Sequence, residues 1–207
     1  GAAIGTSVAE RLGGGVVLPP TWVGAPGFCS WRGTISFTPA LVRQVALELY
    51  RELEKCGFRF IFVHLAHAGE MQREAWGGAA HEYAEYGSAK ILVKHGPDGP
   101  FAATLGGGHA GPDEAAELMV ANPAAVHLDR FNPEDTLLPQ YEGCDPELYS
   151  RGLSPEAREA VFRFMAREHW QWTADLAQKV TPEAAQALFD EICDRLAGEL
   201  RAWMAQE

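Results

Sequence analysis

The hydrophobic pattern of this chain centres on a short apolar run at residues 60–65, which reads Phe-Ile-Phe-Val-His-Leu. The run follows Gly57, a residue type that commonly ends helices, and its β-branched, aromatic and aliphatic side chains are typical of a strand. Because it is apolar at almost every position, it predicts a central strand buried on both faces of a parallel sheet. The polar residues His67 and Glu70 should then lie at the carboxyl edge of that sheet, where α/β folds bind their ligands.

Helical and strand patterns alternate along the rest of the chain. Helical spacing and capping residues predict helices over residues 4–12, 38–56, 71–84, 112–121, from Ser154 onward, and 182–204. Apolar runs predict further strands at residues 16–18, 34–37 and 90–94, the last flanked by lysines as an edge strand would be. This alternation predicts an α/β protein with a mainly parallel sheet.

Composition and charge narrow the class of partner. The chain has 207 residues, of which 47% are hydrophobic, and this is enough for one globular core. Its formal net charge of −11 is spread along the sequence, which disfavours nucleic-acid and acidic-membrane partners and favours a small-molecule ligand. No stretch reaches the roughly 18 apolar residues of a membrane span, and no signal-peptide pattern is visible. We therefore expect a single cytoplasmic domain.

The spacing of the cysteines is consistent with a cytoplasmic protein. They are far apart in the sequence and form no Cys-x-x-Cys pair: Cys29, Cys56, Cys144 and Cys193. Such spacing favours buried thiols over a zinc ribbon or a dense disulfide framework.

A second polar segment follows a glycine-rich stretch and reads His-Ala-Gly-Pro-Asp-Glu from His109 to Glu114. Proline and acidic residues are ordinary in the first turn of a helix, so Glu114 by itself is more simply a helix-start residue than a ligand. His109 within a glycine-rich loop is less ordinary. The glycines at 106–108 match neither a dinucleotide-binding turn nor a Walker loop, so no nucleotide cofactor is expected.

The histidines differ in how much their neighbours suggest. His64, His67 and Glu70 are spaced three apart and could form a ligand set. Because His64 sits inside the predicted strand, a buried, hydrogen-bonded histidine is the simpler interpretation, and Glu70 is the better candidate. The remaining histidines outside the glycine-rich loop have no acidic or histidine partner at ligand spacing and are interpreted as ordinary: His81, His95, His127 and His169.

Four motifs occur in a definite order along the chain. Residues 16–20 read Val-Val-Leu-Pro-Pro, residues 32–36 read Arg-Gly-Thr-Ile-Ser, and Gly-Phe-Arg at 57–59 precedes the apolar run and Ala-His-Ala-Gly-Glu at 66–70. The fourth motif is His-Ala-Gly-Pro-Asp-Glu at 109–114. In order and spacing, over residues 1 to about 126, they resemble the creatininase family of creatinine amidohydrolase-like hydrolases. That family's motifs include Pro-Gly-Thr-Ile-Ser, Gly-His-Gly-Gly-Asn and His-Ala-Gly-x-x-Glu.

The resemblance implies a three-layer α/β/α fold, commonly assembled as a homo-hexamer, with divalent zinc, manganese or iron. Bound water would then attack a C–N bond of a small polar amide, lactam or formamide. It implies that His67 and Glu114 are metal ligands and that His109 contacts substrate or moves a proton. Glu70 is the further catalytic candidate.

The chain also departs from the family pattern. The Glu-x-His pair and the following Asp that supply other ligands are absent, and the Asp position falls on Gly1. Glu70 stands where the signature has Asn. The chain alone is therefore not expected to build a full dinuclear site.

Three explanations of this departure stay open. The chain could be a truncated or separately encoded piece whose partner supplies the missing strand, a divergent hydrolase with fewer metals, or a noncatalytic binding subunit of the same fold. Under the first, an N-terminal segment from a separate polypeptide or a neighbouring subunit would complete the sheet beside residues 16–18 and cover the apolar face of the first helix. Residues 128–172, predicted to be irregular and partly helical, would shape the pocket.

Overall fold

The computed structural model describes residues 1–25, 35–67, 69–106, 111–131 and 175–206. Within these ranges the helices are α1 (Ala2–Leu12), α2 (Pro39–Lys55), α3 (Glu70–Tyr83), α4 (Pro112–Ala121), α5 (Leu176–Lys179) and α6 (Pro182–Met204). The strands are β1 (Phe60–His64) and β2 (Lys90–Lys94), and two short 3-10 helices, Pro123–Ala125 and Leu128–Arg130, follow α4. The helices predicted over 4–12, 38–56, 71–84, 112–121 and 182–204 and the strands at 60–65 and 90–94 are confirmed.

The two strands run parallel, with Phe60 opposite Lys90 and His64 opposite Lys94. Successive side chains of a strand point to opposite faces, so each strand contributes to two cores. Ile61 and Val63 pack with α2 and α3, whereas Phe62 packs with α1, α4 and α6. The sheet therefore lies between two helical layers, and the predicted three-layer α/β/α arrangement is confirmed.

Helices α2 and α3 form the first of these layers. The Thr38 hydroxyl accepts the backbone N–H of Leu41 at 3.3 Å, which caps α2 just before the proline at its first position. Tyr50, almost fully buried on α2, donates its hydroxyl hydrogen to the carbonyl oxygen of Trp76 at 3.2 Å. Their rings meet edge to face, with centroids 6.2 Å apart, so α2 and α3 are joined by both packing and a hydrogen bond.

Helix α6 dominates the second layer. Thr181 caps it by accepting the N–H of Ala184 at 3.2 Å, and Leu188, Ile192 and Leu196 recur every four residues on its buried face. This spacing places all three on one side of the helix, which faces the sheet and α1.

Helix α1 packs directly on α6. Ile4 and Val8 are buried in the same cluster as the apolar face of α6, and Arg11 forms ion pairs of 2.6 Å with both Asp190 and Asp194. The apolar face of α1 was expected to need a partner from outside the chain. That expectation is wrong for Ile4 and Val8, because α6, more than 170 residues later in the sequence, covers them.

The strand predicted at residues 16–18 is not formed. Val16, Val17 and Leu18 are 67%, 42% and 47% exposed, and no strand lies there. A β-branched run becomes a strand only when a neighbouring edge accepts its hydrogen bonds, and in the described part of the chain β1 has β2 as its single strand neighbour. Within the described residues β1 therefore has a neighbouring strand on one side only, where neighbours on both sides were predicted, and of the β1 residues only Ile61 is buried.

Two other predictions concern segments that lie partly or wholly outside the described ranges. Residues 35–37 form no strand, although the N–H of Phe37 donates to the carbonyl oxygen of Gly24 at 2.9 Å, and residue 34 lies outside these ranges. The helix predicted from Ser154 and most of residues 128–172 also lie outside them. None of the described helices is both long and apolar enough to cross a membrane.

Candidate active site

The loop after β1 carries two of the predicted site residues. Leu65 extends the strand by one bond, since its N–H donates to the carbonyl oxygen of Lys94 at 2.8 Å, and its side chain is buried. His67 follows two residues later and is exposed, and Glu70 is the exposed first residue of α3. Both therefore lie at the carboxyl edge of the sheet, as predicted.

The ring of His67 lies against Gly69. A Cβ atom placed on Gly69 would come within 3.0 Å of Cε1 and 3.2 Å of Cδ2 of His67, which is too close for a carbon contact. The backbone of Gly69, at φ −53° and ψ 142°, is one that any residue adopts. An alanine at this position would therefore require the exposed imidazole of His67 to shift, and would not strain the backbone.

Two acidic residues, Asp113 and Glu114, lie in the first turn of α4. Asp113 caps the preceding turn, since its carboxylate accepts the N–H of Leu105 and the hydroxyl hydrogen of Thr104, both at 2.7 Å. Glu114 is exposed in the first turn of α4. His109 falls in residues 107–110, outside the described ranges, so its predicted role stays a prediction.

His95, interpreted from the sequence as ordinary, lies at the same edge. It follows β2 directly, and its Nδ1 lies 2.7 Å from the carbonyl oxygen of Leu65, two residues before His67. The available signal was its place immediately after a predicted strand, because parallel strands end at a common edge. Ligand spacing along the sequence could not reveal it, because its partner is a backbone atom 30 residues away.

His64 is the last residue of β1. Burial lowers the pKa of its imidazole to about 4, so the ring is neutral near neutral pH. The residue as a whole is half-buried, so the predicted burial is met in part. Its Nδ1 atom is buried and makes no hydrogen bond to any described residue, so the hydrogen bond expected there is not found.

Glu117 was not singled out from the sequence. It lies one turn after Glu114 on α4, and burial raises the pKa of its carboxyl group, while the charge of nearby His95 opposes that rise. This electrostatic contact connects α4 with the end of β2. The signal that could have found Glu117 is its helical spacing of three residues from Glu114.

These groups do not by themselves complete a metal centre. Across the described residues, no three His, Cys, Asp or Glu side chains are placed so that they could hold one metal ion. A divalent ion bound here would need ligands from outside those ranges. A cavity of about 310 Å³ lies elsewhere, at the amino end of the strands beside Phe58, Phe60 and Lys90.

Comparisons with known proteins give one family and one fold. The sequence profile described as creatininase, creatinine amidohydrolase, matches residues 1–200. No curated protein sequence matches the chain significantly. A solved structure of a mutant creatininase complexed with creatine superimposes with a TM-score of 0.61 at 19% sequence identity, covering 97% of this chain and 80% of that one. At that identity the superposition supports the fold and not the substrate.

Proposed function

Because the chain belongs to the creatininase family, we propose that it is an amidohydrolase acting on a C–N bond of a small polar amide, lactam or formamide. The observation that carries the proposal is the carboxyl edge of the sheet, where His67 and Glu70 follow β1 and His95 follows β2. α/β folds bind their small ligands at this edge.

In such a hydrolase a divalent zinc, manganese or iron ion would supply a water molecule of lowered pKa when bound. We assign His67 and Glu114 as ligands of that ion, since imidazole and carboxylate groups suit these metals. The described residues offer fewer than three ligands in one place, so the remaining ligands must come from residues outside them or from a partner.

Two further residues would handle protons. The exposed carboxylate of Glu70 is at the start of α3 and can accept a proton from water, and His109 can deliver one to the departing amine. Proton transfer of this kind lets the amine leave as a neutral group.

We also propose that the protein works as a homo-oligomer on a free small molecule, with a further segment beside residues 16–18 from a neighbouring subunit or a separate polypeptide. The support is the exposure of Val16 and Leu18 together with the single strand neighbour of β1 in the described ranges. Native mass spectrometry of the purified protein tests this, and a monomer that binds metal and hydrolyses amides by itself would contradict it.

The second candidate function is a noncatalytic binding subunit of the same fold, which the absence of a three-ligand group among the described residues favours. Elemental analysis and an assay against creatinine, a formamide and a lactam separate the two. The enzyme should hold about one or two divalent ions per chain and hydrolyse one of these compounds, and the binding subunit should do neither.

The variant His67→Ala should remove both metal and turnover while the fold is retained. His81→Ala is the matched control, since it replaces an exposed histidine in the last turn of α3. Equal metal content and turnover in His67→Ala and the unmodified protein would contradict the assignment.

A further inference from the structure

The loop that carries His67 is fixed at its first residue by three separate contacts. The N–H of Leu65 donates to Lys94, the carbonyl oxygen of Leu65 accepts a hydrogen bond at 2.7 Å from Nδ1 of His95, and the Leu65 side chain is 4% exposed. The bond to Lys94 continues the sheet, and the buried Leu65 side chain belongs to the core. The bond from His95 is the one made by another residue's side chain, and that side chain can be replaced without disturbing the backbone.

We propose that His95 is a positioning residue of the candidate active site, which holds the Leu65 carbonyl and so fixes the loop that presents His67. The relevance of His95 to catalysis rests on the proposed function, whereas its contact with the loop does not. His95 touches neither substrate nor metal in this proposal and acts through the backbone of Leu65.

The hydrogen bond determines the state of the His95 ring. A carbonyl oxygen only accepts hydrogen bonds, so Nδ1 of His95 must carry the hydrogen. In the neutral ring, Nε2 is then the acceptor. The contact with Leu65 therefore persists in both the neutral and the charged forms of His95.

His95 also has an electrostatic link to α4, the helix that carries Glu114. The charge of His95 acts on Glu117, one turn beyond Glu114, while its Nδ1 is bonded to Leu65. A change at residue 95 should therefore affect the loop directly and α4 through electrostatics.

A purely structural role for His95 makes a different prediction. His95 is exposed apart from this bond, so its removal leaves no apolar cavity and should lower the melting temperature only slightly. If the bond served only to close the sheet, the backbone amides at 66–70 would keep their exchange rates and the loop would keep its zinc affinity.

The test compares His95→Ala with His95→Asn, since the Asn amide can donate from nearly the same place as Nδ1. Hydrogen exchange of the backbone amides at 66–70 and the affinity for Zn²⁺ are measured on the full chain. His95→Ala should speed exchange at 66–70 and weaken Zn²⁺ binding by roughly tenfold, a loss typical of groups that orient a ligand. His95→Asn should restore both, and His81→Ala should change neither.

The two proposals fail in different ways. Unchanged exchange at 66–70 in His95→Ala overturns the positioning role, whatever the protein binds. Faster exchange in His95→Ala that Asn reverses supports the positioning role even if the unmodified protein binds no Zn²⁺ and hydrolyses nothing. That second result overturns the proposed function instead.

Discussion

The imidazole of His67 occupies the space that a side chain on Gly69 would need, since a Cβ atom there would lie 3.0 Å from Cε1 of the ring. Gly69 is the N-cap of α3 and has an ordinary backbone conformation, so replacing it should move the ring and not the chain. The orientation that the His67 ring has in this structure is thus incompatible with a methyl group on residue 69.

We therefore expect Gly69→Ala to fold with a slightly lower melting temperature, because alanine is a poorer N-cap than glycine. It should bind Zn²⁺ roughly 10 to 100 times more weakly, the range typical when a metal-binding histidine is misoriented. Isothermal titration measures the affinity. Gly77→Ala is the matched control, because nothing lies within 4 Å of a Cβ there and alanine favours the helix. Equal affinity in Gly69→Ala and the unmodified protein would show that His67 does not bind the metal in this orientation.

The prediction for His109 separates proton transfer from metal binding. If His109 delivers a proton to the departing amine, His109→Asn should lower kcat by roughly 10² to 10⁴ and leave the metal content intact. Elemental analysis run beside the assay decides the point. Metal loss in the variant would make His109 a ligand, and unchanged kcat would remove it from the mechanism.

A pH-dependent contribution to stability is expected at the opposite end of the sheet. The Glu54 carboxylate accepts hydrogen bonds from the hydroxyl and N–H of Ser88 and from the hydroxyl of Tyr83, which lower its pKa from 4.5 to about 2. Because the folded state favours the ionised form, this stabilisation is complete above about pH 4.5 and is lost as the pH falls towards 2. Thermal melting of the unmodified protein and of Glu54→Gln should differ most at neutral pH.

The two melting curves should converge as the pH falls from about 4.5 to 2, because protonated Glu54 and Gln resemble each other. Ser88→Ala removes the hydroxyl that contributes most to the shift, so its loss of stability should begin at the same pH, about 4.5, but should be smaller and end at a higher pH than in the unmodified protein. A constant difference in melting temperature between the Glu54→Gln and unmodified proteins across this range would mean that folding does not lower the pKa of Glu54.

Local patterns predicted the elements well because each depends on neighbours in sequence. Thr38 followed by proline, and Leu188, Ile192 and Leu196 at helical spacing, identify α2 and α6 without reference to the rest of the fold. Residues 16–18 have equally good strand composition and form no strand. A strand needs an edge to pair with, and composition cannot reveal whether one is present.

The residues of the candidate site likewise fall into those that the sequence predicted and those that it could not. His67 and Glu70 were predicted because they follow the apolar run directly, and the structure places both at the carboxyl edge of the sheet. His95 was not predicted, since its importance comes from a bond to a backbone oxygen 30 residues earlier. The space that the His67 ring takes above Gly69 likewise follows from a side-chain conformation that the sequence does not contain.

The start of α1 meets the loop after β1, and this contact bears on the missing ligands. A Cβ atom on Gly1 would lie 3.1 Å from Cβ of Ala66 and 3.9 Å from Cδ2 of His64. The resemblance to the family motifs implies an aspartate at the position of Gly1 and a glycine at the position of Ala66. In this chain the glycine is at position 1 and the larger residue is at position 66, the reverse of that arrangement. The Ala66 methyl group therefore crowds the space where an aspartate side chain at position 1 would begin.

We therefore expect Gly1→Asp alone to gain little Zn²⁺ affinity, because the new Cβ atom meets Ala66, and Gly1→Asp combined with Ala66→Gly to gain roughly tenfold or more. The combined gain should exceed the sum of the single changes in free energy, since the residues are in contact. Asp at position 1 also suits the N-cap of α1, which has no side-chain cap, so a higher melting temperature is expected in both aspartate variants and does not count as support. If the double variant binds Zn²⁺ no better than Ala66→Gly alone, position 1 does not face the metal, and the ligands that the described residues lack must come from residues outside those ranges or from a partner.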